Sequence, residues 1–347
     1  MILVLGIAGL IWWGGRLFGL PAAVRQLLLG FLYLAVLSIQ PTLPAGSPLR
    51  EATGGSAALW LLLGGAAILI GLYAFVLRKL KSRVQPVEDA MPDKPGTFTE
   101  TELNRYARHI VLREVGGPGQ KRLKQAKVLV IGAGGRGSPV RQYLAAAGVG
   151  TIGVVDDDVA ENANLQRQVI HRDQDIGVPK VFSAQKAMEA QNPNVVVRPF
   201  HRRLEAEIAS ELFAEFDLIL DGTDNFDTRY LVNRTAVALG KPLISGALSQ
   251  WEGQLSVFDP KTNGPCYKCI FPEAPAPGLA PSCSEAGVIG PLPGVVGTMM
   301  AVEAVKLITG AGSVLRGEML IYDGLYGETR KIRLSKRSDC PVCGGAH

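Results

Sequence analysis

Residues 130–138 read VIGAGGRGS, an aliphatic run that ends in a glycine-rich turn. The run begins upstream as KVLVIG (127–132), and the helix-like stretch PVRQYLAAAG (139–148) follows it. A short buried strand, a glycine-rich turn and a helix in this order are typical of a nucleotide-binding βαβ unit. The turn does not identify the nucleotide, because NAD-dependent and ATP-dependent enzymes can both carry one.

Strand and helix patterns alternate after this turn, with a helix predicted at EAEIASELFAEF (205–216). Further strands are predicted at TIGVVDDD (151–158), VVVRPF (195–200), DLILDGTD (217–224), PLISGAL (242–248) and GQLSVFD (253–259). The alternation predicts an α/β fold, with a Rossmann-like, mostly parallel sheet covered by helices on both faces. Antiparallel strands are expected towards the C-terminus. Ligands of such folds bind at the carboxyl ends of the strands.

The first 83 residues have a different composition and carry a net charge of +6, whereas residues 84–347 carry −1. The alkaline character of the chain therefore gives no indication of nucleic-acid binding. Three apolar stretches follow one another, around residues 2–15, 21–39 and 57–77. The third has no charge and matches the roughly 20 residues that cross a bilayer. The basic RKLKSR (78–83) follows it, as is typical of the cytoplasmic side.

We therefore expect a membrane segment at 1–83 with two or three transmembrane helices, a linker at 84–99 and a soluble domain at 100–347. This places the soluble domain in the cytosol, attached to the inner (cytoplasmic) membrane. A cleaved signal peptide at residues 1–20 is the alternative, but no basic region precedes the first apolar run.

The nucleotide site has features of two enzyme classes. Gly132, Gly134 and Gly137 fit the dinucleotide fingerprint, and Asp156 lies 19 residues further on, where an acid binds a ribose hydroxyl. These residues favour NAD. The later stretches NLQRQVIH (164–171), GVPK (177–180) and DGTDNFDTR (221–229) instead favour a triphosphate. Cations neutralise phosphates, and a carboxylate can hold the Mg²⁺ that bridges them.

These motifs, together with RYARHIVL (105–112), CYKC (266–269), GVIGPLPGVVG (287–297) and CPVC (340–343), resemble one family closely. The similarity runs from about residue 100 to 345 and is to the ubiquitin-activating-type adenylyltransferases of the ThiF, MoeB and HesA family, most of all its molybdopterin branch. The resemblance implies ATP-dependent adenylation of the C-terminal glycine of a ubiquitin-like sulfur-carrier protein that ends in Gly-Gly. The products would be an acyl-adenylate and pyrophosphate.

The resemblance also implies roles for individual residues. It places the nucleotide on Gly132, Gly134, Gly135, Gly137, Asp156, Asn164, Leu165, Gln166, Arg167, Lys180, Asp224 and Asn225. Arg167 and Lys180 would contact phosphates, and Asp224 would coordinate Mg²⁺. Arg108 would reach across a homodimer into the partner's active site. The chain departs from the family at Arg136, where an aliphatic residue is usual, and we expect this cation either near phosphate or in solvent.

The five cysteines divide into two C-x-x-C pairs, Cys266 with Cys269 and Cys340 with Cys343, and a single Cys283. The pairs can supply four thiolates to one structural Zn²⁺, and the alternative of disulfides is disfavoured in a reducing cytosol. Cys283 lies in a Pro- and Gly-rich stretch (272–294) predicted as a mobile loop. Some family members use a cysteine at this position for a covalent link to the carrier, and in others it is dispensable, so Cys283 is a candidate catalytic residue.

Three alternatives to this interpretation stay open. The carrier could belong to the thiamine pathway rather than to molybdopterin synthesis. The chain could be a membrane-tethered NAD-binding oxidoreductase, or a non-catalytic scaffold that recruits a carrier protein. Arg167, Lys180 and Asp224 argue against the scaffold, which has no use for them.

Overall fold

The computed structural model describes residues 2–44, 46–83, 97–276 and 286–344. The chain divides into two compact units, Met1–Ala90 and Met91–His347. Most of the predicted linker, residues 84–96, lies outside the described residues.

The first unit is helical. Helix α1 (Ile2–Gly9) continues through a π-helical segment (Leu10–Gly14) into the short α2 (Gly15–Leu17). Helices α3 (Ala22–Thr42), α4 (Pro48–Ala52) and α5 (Ala57–Arg83) follow. Apolar helices therefore occur at the predicted positions. Among the described residues of this unit, Ala22–Thr42 and Pro48–Val76 are long and apolar enough to cross a membrane, and only a small part of each is buried. The second stretch includes α4 and most of α5.

A few contacts hold the first unit together. Val4, Val36 and Trp60 form a small buried cluster. The indole Nε1 of Trp60 donates to the carbonyl oxygen of Thr53 at 2.8 Å, and Gln40 Nε2 donates to the Thr53 hydroxyl at 2.9 Å. These hydrogen bonds satisfy polar groups that would be costly in an apolar environment.

The second unit contains one sheet, in which the described residues form eight strands. They are β1 (Lys127–Ile131), β2 (Thr151–Asp156), β3 (Val196–His201), β4 (Leu218–Asp221), β5 (Leu243–Leu248), β6 (Glu252–Phe258), β7 (Glu318–Asp323) and β8 (Glu328–Arg333). Their order is β3-β2-β1-β4-β5-β6-β7-β8. The first five in this order are parallel, and β6, β7 and β8 pair antiparallel. The predicted α/β fold is confirmed.

Helices cover both faces of the sheet. Their bounds are α6 (Glu100–Ile110), α7 (Gly116–Gln125), α8 (Gly137–Ala146), α9 (Lys180–Gln191), α10 (Ala206–Ala214), α11 (Phe226–Ala238), α12 (Tyr267–Ile270) and α13 (Pro291–Thr309). Residues of α7, α8, α9 and α13 share one apolar core, and residues of α10, α11 and α12 share the other.

Helix α13 corrects one expectation. The predicted loop at 272–294 is wrong for its last four residues, because α13 begins at Pro291. Proline is tolerated in the first turn of a helix, where its missing N–H has no intrahelical partner to lose. Cys283 and its neighbours 277–285 lie outside the described residues. Helix α13 is also long and apolar enough to span a membrane, but half of it is buried within the second unit.

Candidate active site

The glycine-rich turn connects β1 to α8, and its carbonyl groups face the protein core. Arg141, which is fully buried, donates from Nη1 to the oxygen of Gly132 and from Nη2 to that of Ala133, both at 2.9 Å. His171 Nε2 lies 3.2 Å from the same Ala133 oxygen. Because the C=O and the following N–H of a trans peptide point in opposite directions, the amide of Gly134 points away from this anchor.

Glycine is required at two positions of the turn for different reasons. Gly132 has a φ of +89°, which disfavours any side chain. A Cβ on Gly137 would lie 2.3 Å from the carbonyl oxygen of Gly132, so the first residue of α8 can only be glycine without a shift of the backbone. The tight turn places the N-terminus of α8 at the carboxyl edge of the sheet, where anions bind favourably.

A cavity of about 460 Å³ opens above the turn, at the carboxyl ends of the parallel strands. Nine predicted residues line it: Gly132, Gly134, Gly135, Asp156, Asn164, Arg167, Lys180, Asp224 and Asn225. The structure thus brings three of the four predicted glycines, two cations and both predicted acids together. The volume lies within the usual range for a small-molecule site.

Asp156 ends β2 and enters the cavity in a fixed position. Its Oδ2 accepts a hydrogen bond from the amide of Ala133 at 2.5 Å, and its Oδ1 accepts one from the amide of Asp158 at 2.9 Å. Burial raises the pKa of this carboxyl group, while the two amides act in the opposite direction. The carboxylate is therefore already oriented to accept from a further donor, such as a ribose hydroxyl.

Two cations stand on the same side of the cavity. Lys180 begins α9 with a side chain only 6% exposed, and its Nζ pairs with Asp158 Oδ2 at 2.6 Å. Arg167 donates from Nη1 to the carbonyl oxygen of Ala163 at 3.0 Å and from Nη2 to Asn164 Oδ1 at 3.4 Å. A polyanion in the cavity would meet the buried ammonium of Lys180 and the guanidinium of Arg167.

The segment after β4 forms the opposite wall. Asp221 is buried and accepts hydrogen bonds from the amide and hydroxyl of Thr223, at 2.9 and 2.7 Å. Asn225 caps α11, since its Oδ1 accepts from the amide of Thr228 at 2.8 Å. Asp224, between Thr223 and Asn225, is exposed and lines the cavity. Its carboxylate is thus available as an oxygen ligand.

Four predicted residues within the described part of the chain do not line this cavity. Gly137 lies beneath the turn, while Leu165 is half-buried and Gln166 packs against the position of Gly290, before α13. Arg108 is exposed on α6, whose Tyr106 packs against Gly148 just before β2 begins. Arg108 therefore lies towards the opposite edge of the sheet from the cavity of its own chain. Cys283 lies outside the described residues.

Other residues of the cavity were not predicted. Arg202 and Arg203 line it directly after β3, and Asp157, Asp158 and Gln168 line it too. The two arginines could have been found from their position directly after β3, because residues that follow a parallel strand lie at the ligand-binding edge of the sheet. Arg136 also lines the cavity and is only 6% exposed, which excludes the second of the two expected placements, in solvent. Its Nη2 donates to the carbonyl oxygens of Gly222 and Thr223.

The four paired cysteines come together at a separate place. Cys266, Cys269, Cys340 and Cys343 are all buried, and their sulfur atoms lie within 4.8 Å of one another. Sulfur–sulfur distances of 3.4, 3.7 and 4.0 Å are close to the spacing of four thiolates around one tetrahedral Zn²⁺, which are each bound at about 2.3 Å. The donor set fits zinc, and it has no room for a fifth ligand such as a substrate.

The sheet order, the glycine-rich turn and the cationic cavity define a Rossmann-like α/β domain built to bind a polyanionic nucleotide. Comparison with known proteins then gives the family. The family model described as "ThiF family" matches residues 106–342, and this chain belongs to that family.

The relatives with curated names include several adenylyltransferases. The chain is 51% identical over 251 residues to a sulfur carrier protein adenylyltransferase of Thermus thermophilus. This match covers 71% of this chain and 93% of the relative. It is 48% identical over 244 residues to the SAMP-activating enzyme E1 of Haloferax volcanii, covering 70% of this chain and 90% of the relative. A probable adenylyltransferase/sulfurtransferase MoeZ of Mycobacterium tuberculosis is 51% identical, but the match covers 70% of this chain and only 63% of MoeZ.

A crystal structure of E. coli MccB with ATP has a similar fold. Its TM-score is 0.62 at 22% sequence identity, over 70% of this chain and 75% of MccB. The match supports the fold of the second unit. The matches to the curated relatives cover about 70% of the chain, in keeping with the length of that unit.

Proposed function

We propose that the chain is an ATP-dependent adenylyltransferase that acts on the C-terminal glycine of a ubiquitin-like sulfur-carrier protein. The observation that carries this proposal is the cavity above the glycine-rich turn, which Arg167, Lys180 and Asp224 line together. The names of the relatives support the same activity, since several are adenylyltransferases and one acts on a sulfur carrier protein.

In the proposed reaction the carrier's terminal carboxylate attacks the α-phosphorus of ATP. A bond forms between a carboxylate oxygen and phosphorus, the bond from the α-phosphorus to the bridging oxygen breaks, and pyrophosphate leaves with that oxygen. No general base is required, because the carboxylate is ionised at neutral pH. The role of the protein is to position two anions and to neutralise their charge.

Each wall of the cavity has a part in this reaction. The amides of the turn and the N-terminus of α8 face the phosphates, and Asp156 accepts from the ribose. Arg167 binds phosphate oxygens, and Lys180 exchanges its contact with Asp158 for one with the triphosphate. Asp224 would hold Mg²⁺, which prefers carboxylate oxygens and supplies charge neutralisation when it is bound.

The carrier is proposed to be of the molybdopterin-synthase small-subunit type and to end in Gly-Gly, with a thiamine-pathway carrier as the alternative. The proposed assembly is a homodimer. Arg108 would then contribute to the partner's site, in agreement with its exposure and with its absence from the lining of its own chain's cavity. Zn²⁺ is proposed to bind the four buried cysteines and to link the C-terminal segment to the residues after β6.

We further propose that the first unit anchors the enzyme in the inner (cytoplasmic) membrane, with the catalytic unit in the cytosol. The exposed apolar surfaces of α3 and α5 support this proposal, because such surfaces are unfavourable in water. Glycosylation or cysteine labelling of the loops between helices, in intact cells, would map the topology.

Exchange of labelled pyrophosphate into ATP tests the activity. The full chain in detergent is expected to catalyse exchange only when a Gly-Gly-ending carrier and Mg²⁺ are both present. Asp224→Ala is expected to lower the rate at least about 100-fold, as for loss of a group that stabilises developing charge. Asp227→Ala is the matched control, because Asp227 is exposed in the first turn of α11 and does not line the cavity.

Two results would contradict the proposal. One is the absence of exchange with every carrier tested, and the other is equal activity of Asp224→Ala and Asp227→Ala. A membrane-tethered NAD-binding oxidoreductase would instead bind NAD without Mg²⁺ and change its absorbance on turnover.

A further inference from the structure

Arg136 stands where the resembling family has an aliphatic residue, and the fold gives this cation a defined place. It immediately precedes α8 and is buried, with 6% of its surface exposed. Its Nη2 donates to the carbonyl oxygen of Gly222 at 3.1 Å and to that of Thr223 at 2.6 Å. The guanidinium therefore links the glycine-rich turn after β1 to the turn after β4.

The backbone of Arg136 is held as firmly as its side chain. Helix α13 approaches so closely that a Cβ on Gly297 would lie 2.3 Å from the carbonyl oxygen of Arg136. One residue earlier, a Cβ on Gly135 would lie 3.0 Å from Pro293 of the same helix. The close contact between the turn and α13 thus fixes the backbone from which the Arg136 side chain extends.

The segment that Arg136 contacts leads directly to Asp224. Thr223 is bonded through its amide and its hydroxyl to the buried Asp221, and its carbonyl oxygen also accepts a hydrogen bond from Arg229. Arg229 donates in addition to the carbonyl oxygen of Gly246 on β5, at 3.0 Å. Two buried guanidinium groups therefore fix the residue that precedes Asp224, and Asp224 itself is exposed to the cavity.

This segment lies between two cavities. A second cavity of about 540 Å³ is lined in part by Phe226, Tyr267 and Phe271. It shares Arg136, Asp224 and Leu248 with the nucleotide cavity. A side chain at this junction can influence both the nucleotide and whatever approaches it.

We propose that Arg136 is a positioning residue that fixes the Gly222–Thr223 backbone and, through it, the Asp224 carboxylate at the junction of the two cavities. This inference rests on the proposed function, in which Asp224 holds the divalent cation of the ATP complex. An aliphatic side chain at position 136 fills similar space but donates nothing to the two carbonyl groups. A hydrogen bond from a charged donor to a buried carbonyl is stronger than one between neutral groups, so its loss is expected to loosen the segment.

The test compares Arg136→Leu and Arg136→Lys in the full chain in detergent, with Arg333→Leu as a control. Arg333 is exposed at the end of β8 and does not line either cavity. Mn²⁺ affinity is measured by electron paramagnetic resonance in the presence of a non-hydrolysable ATP analogue. We expect affinity about tenfold weaker in Arg136→Leu, equivalent to the loss of one charged hydrogen bond, and within about threefold of the unsubstituted chain in Arg136→Lys. The lysine ammonium can donate to both carbonyl oxygens from one nitrogen, as Nη2 does.

Hydrogen exchange in residues 222–225 gives a second measurement without metal or nucleotide. Exchange there is expected to be faster in Arg136→Leu than in the control, while exchange in β1 stays the same, which also shows that the variant is folded. If Arg136→Leu fails to fold, the same two measurements compare Arg136→Lys with the control. A Mn²⁺ affinity that is tenfold or more weaker in Arg136→Lys would then overturn the inference.

Three outcomes separate this inference from the proposed function. Unchanged Mn²⁺ affinity and exchange in Arg136→Leu overturn the positioning role, whatever the enzyme's activity. Equal losses in Arg136→Leu and Arg136→Lys overturn it as well, because they show that a donor at this position is not what matters. Absence of pyrophosphate exchange in the unsubstituted chain contradicts the proposed function, while the difference in hydrogen exchange between variants would still support the contact made by Arg136.

Discussion

Arg141 offers the sharpest test of how the nucleotide turn is held, because its guanidinium is buried and donates hydrogen bonds to two backbone carbonyl groups of the turn. We expect Arg141→Met to destabilise the second unit by about 3 kcal/mol. Methionine retains much of the side-chain volume but cannot donate to the oxygens of Gly132 and Ala133, each 2.9 Å from the guanidinium. The glycine-rich turn would then lose the anchor that orients it.

The magnitude follows from three contributions. The Gly132 oxygen loses its Arg141 donor, and the Ala133 oxygen keeps only the contact with His171 at 3.2 Å. A buried acceptor left without a partner costs about 1–3 kcal/mol. Against this, the substitution removes a guanidinium whose pKa burial lowers to about 10, and whose Nε has no hydrogen-bond partner among the described residues. For two acceptors the loss is about 2–6 kcal/mol. The gains from removing the guanidinium place the expected net loss in the lower half of that range, at about 3 kcal/mol.

The measurement is the thermal midpoint of the full chain in detergent, followed by circular dichroism. For a unit of this size, 3 kcal/mol corresponds to a fall in Tm of about 6–12 °C. The matched control is Arg198→Met, since Arg198 pairs with Glu215 at 2.7 Å but both side chains are partly exposed, 37% and 48%. Such a pair contributes about 1 kcal/mol or less. If Arg141→Met lowers Tm no more than Arg198→Met, the buried anchor is not what holds the turn.

Three further predictions concern the same unit. Gly137→Ala is expected to lower the free energy of unfolding by about 1–3 kcal/mol, because the new Cβ would lie 2.3 Å from the carbonyl oxygen of Gly132. Gly134→Ala is the control, since the nearest atom to a Cβ on Gly134 is 3.7 Å away. Equal Tm values for the two variants would contradict this prediction. Burial lowers the pKa of His171 to about 4 in the folded protein, so the imidazole binds a proton more readily in the unfolded chain than in the folded one. The free energy of unfolding is therefore expected to fall by at most about 2 kcal/mol between pH 7 and pH 5. His171→Gln should remove most of that fall in urea titrations at the two pH values, and an unchanged fall would show that other groups cause it. Cys340→Ser is expected to lower the zinc content, measured by inductively coupled plasma mass spectrometry, from about one ion per chain to well below half, and a full complement of zinc would exclude the four-cysteine site.

The sequence predicted the fold best where strands are buried on both faces. Strands β1 and β4 read as unbroken aliphatic runs because helices cover both sides of the sheet there. Strand β8 has the opposite character. All six residues of Glu328–Arg333 are exposed, so the segment carries no apolar pattern and was not predicted. Helix α13 was not predicted, because the prolines and glycines of its first turns are typical of a loop.

The site was predictable where a motif fixes a residue at the end of a strand. Asp156 is the last residue of β2 and Asp224 follows the end of β4 by three residues, and parallel strands bring their carboxyl ends to one edge. The direction of Arg136 was not predictable, because it depends on the carbonyl groups of Gly222 and Thr223, 86 and 87 positions further along the chain. Local pattern carries no information about such a contact. The same limit applies to Arg202 and Arg203, whose role depends on the neighbour that β3 has in the sheet.

The way in which two amides hold Asp156 has a consequence for nucleotide choice. A side chain that is already immobile loses no freedom when a sugar docks against it, so the full strength of the new contact counts towards affinity. The same stiffness prevents the carboxylate from turning elsewhere when the sugar lacks a hydroxyl group. Deoxyribonucleotides would therefore compete poorly with ribonucleotides if the missing hydroxyl is the one that Asp156 meets, and the enzyme would draw on the ribonucleotide pool of the cell.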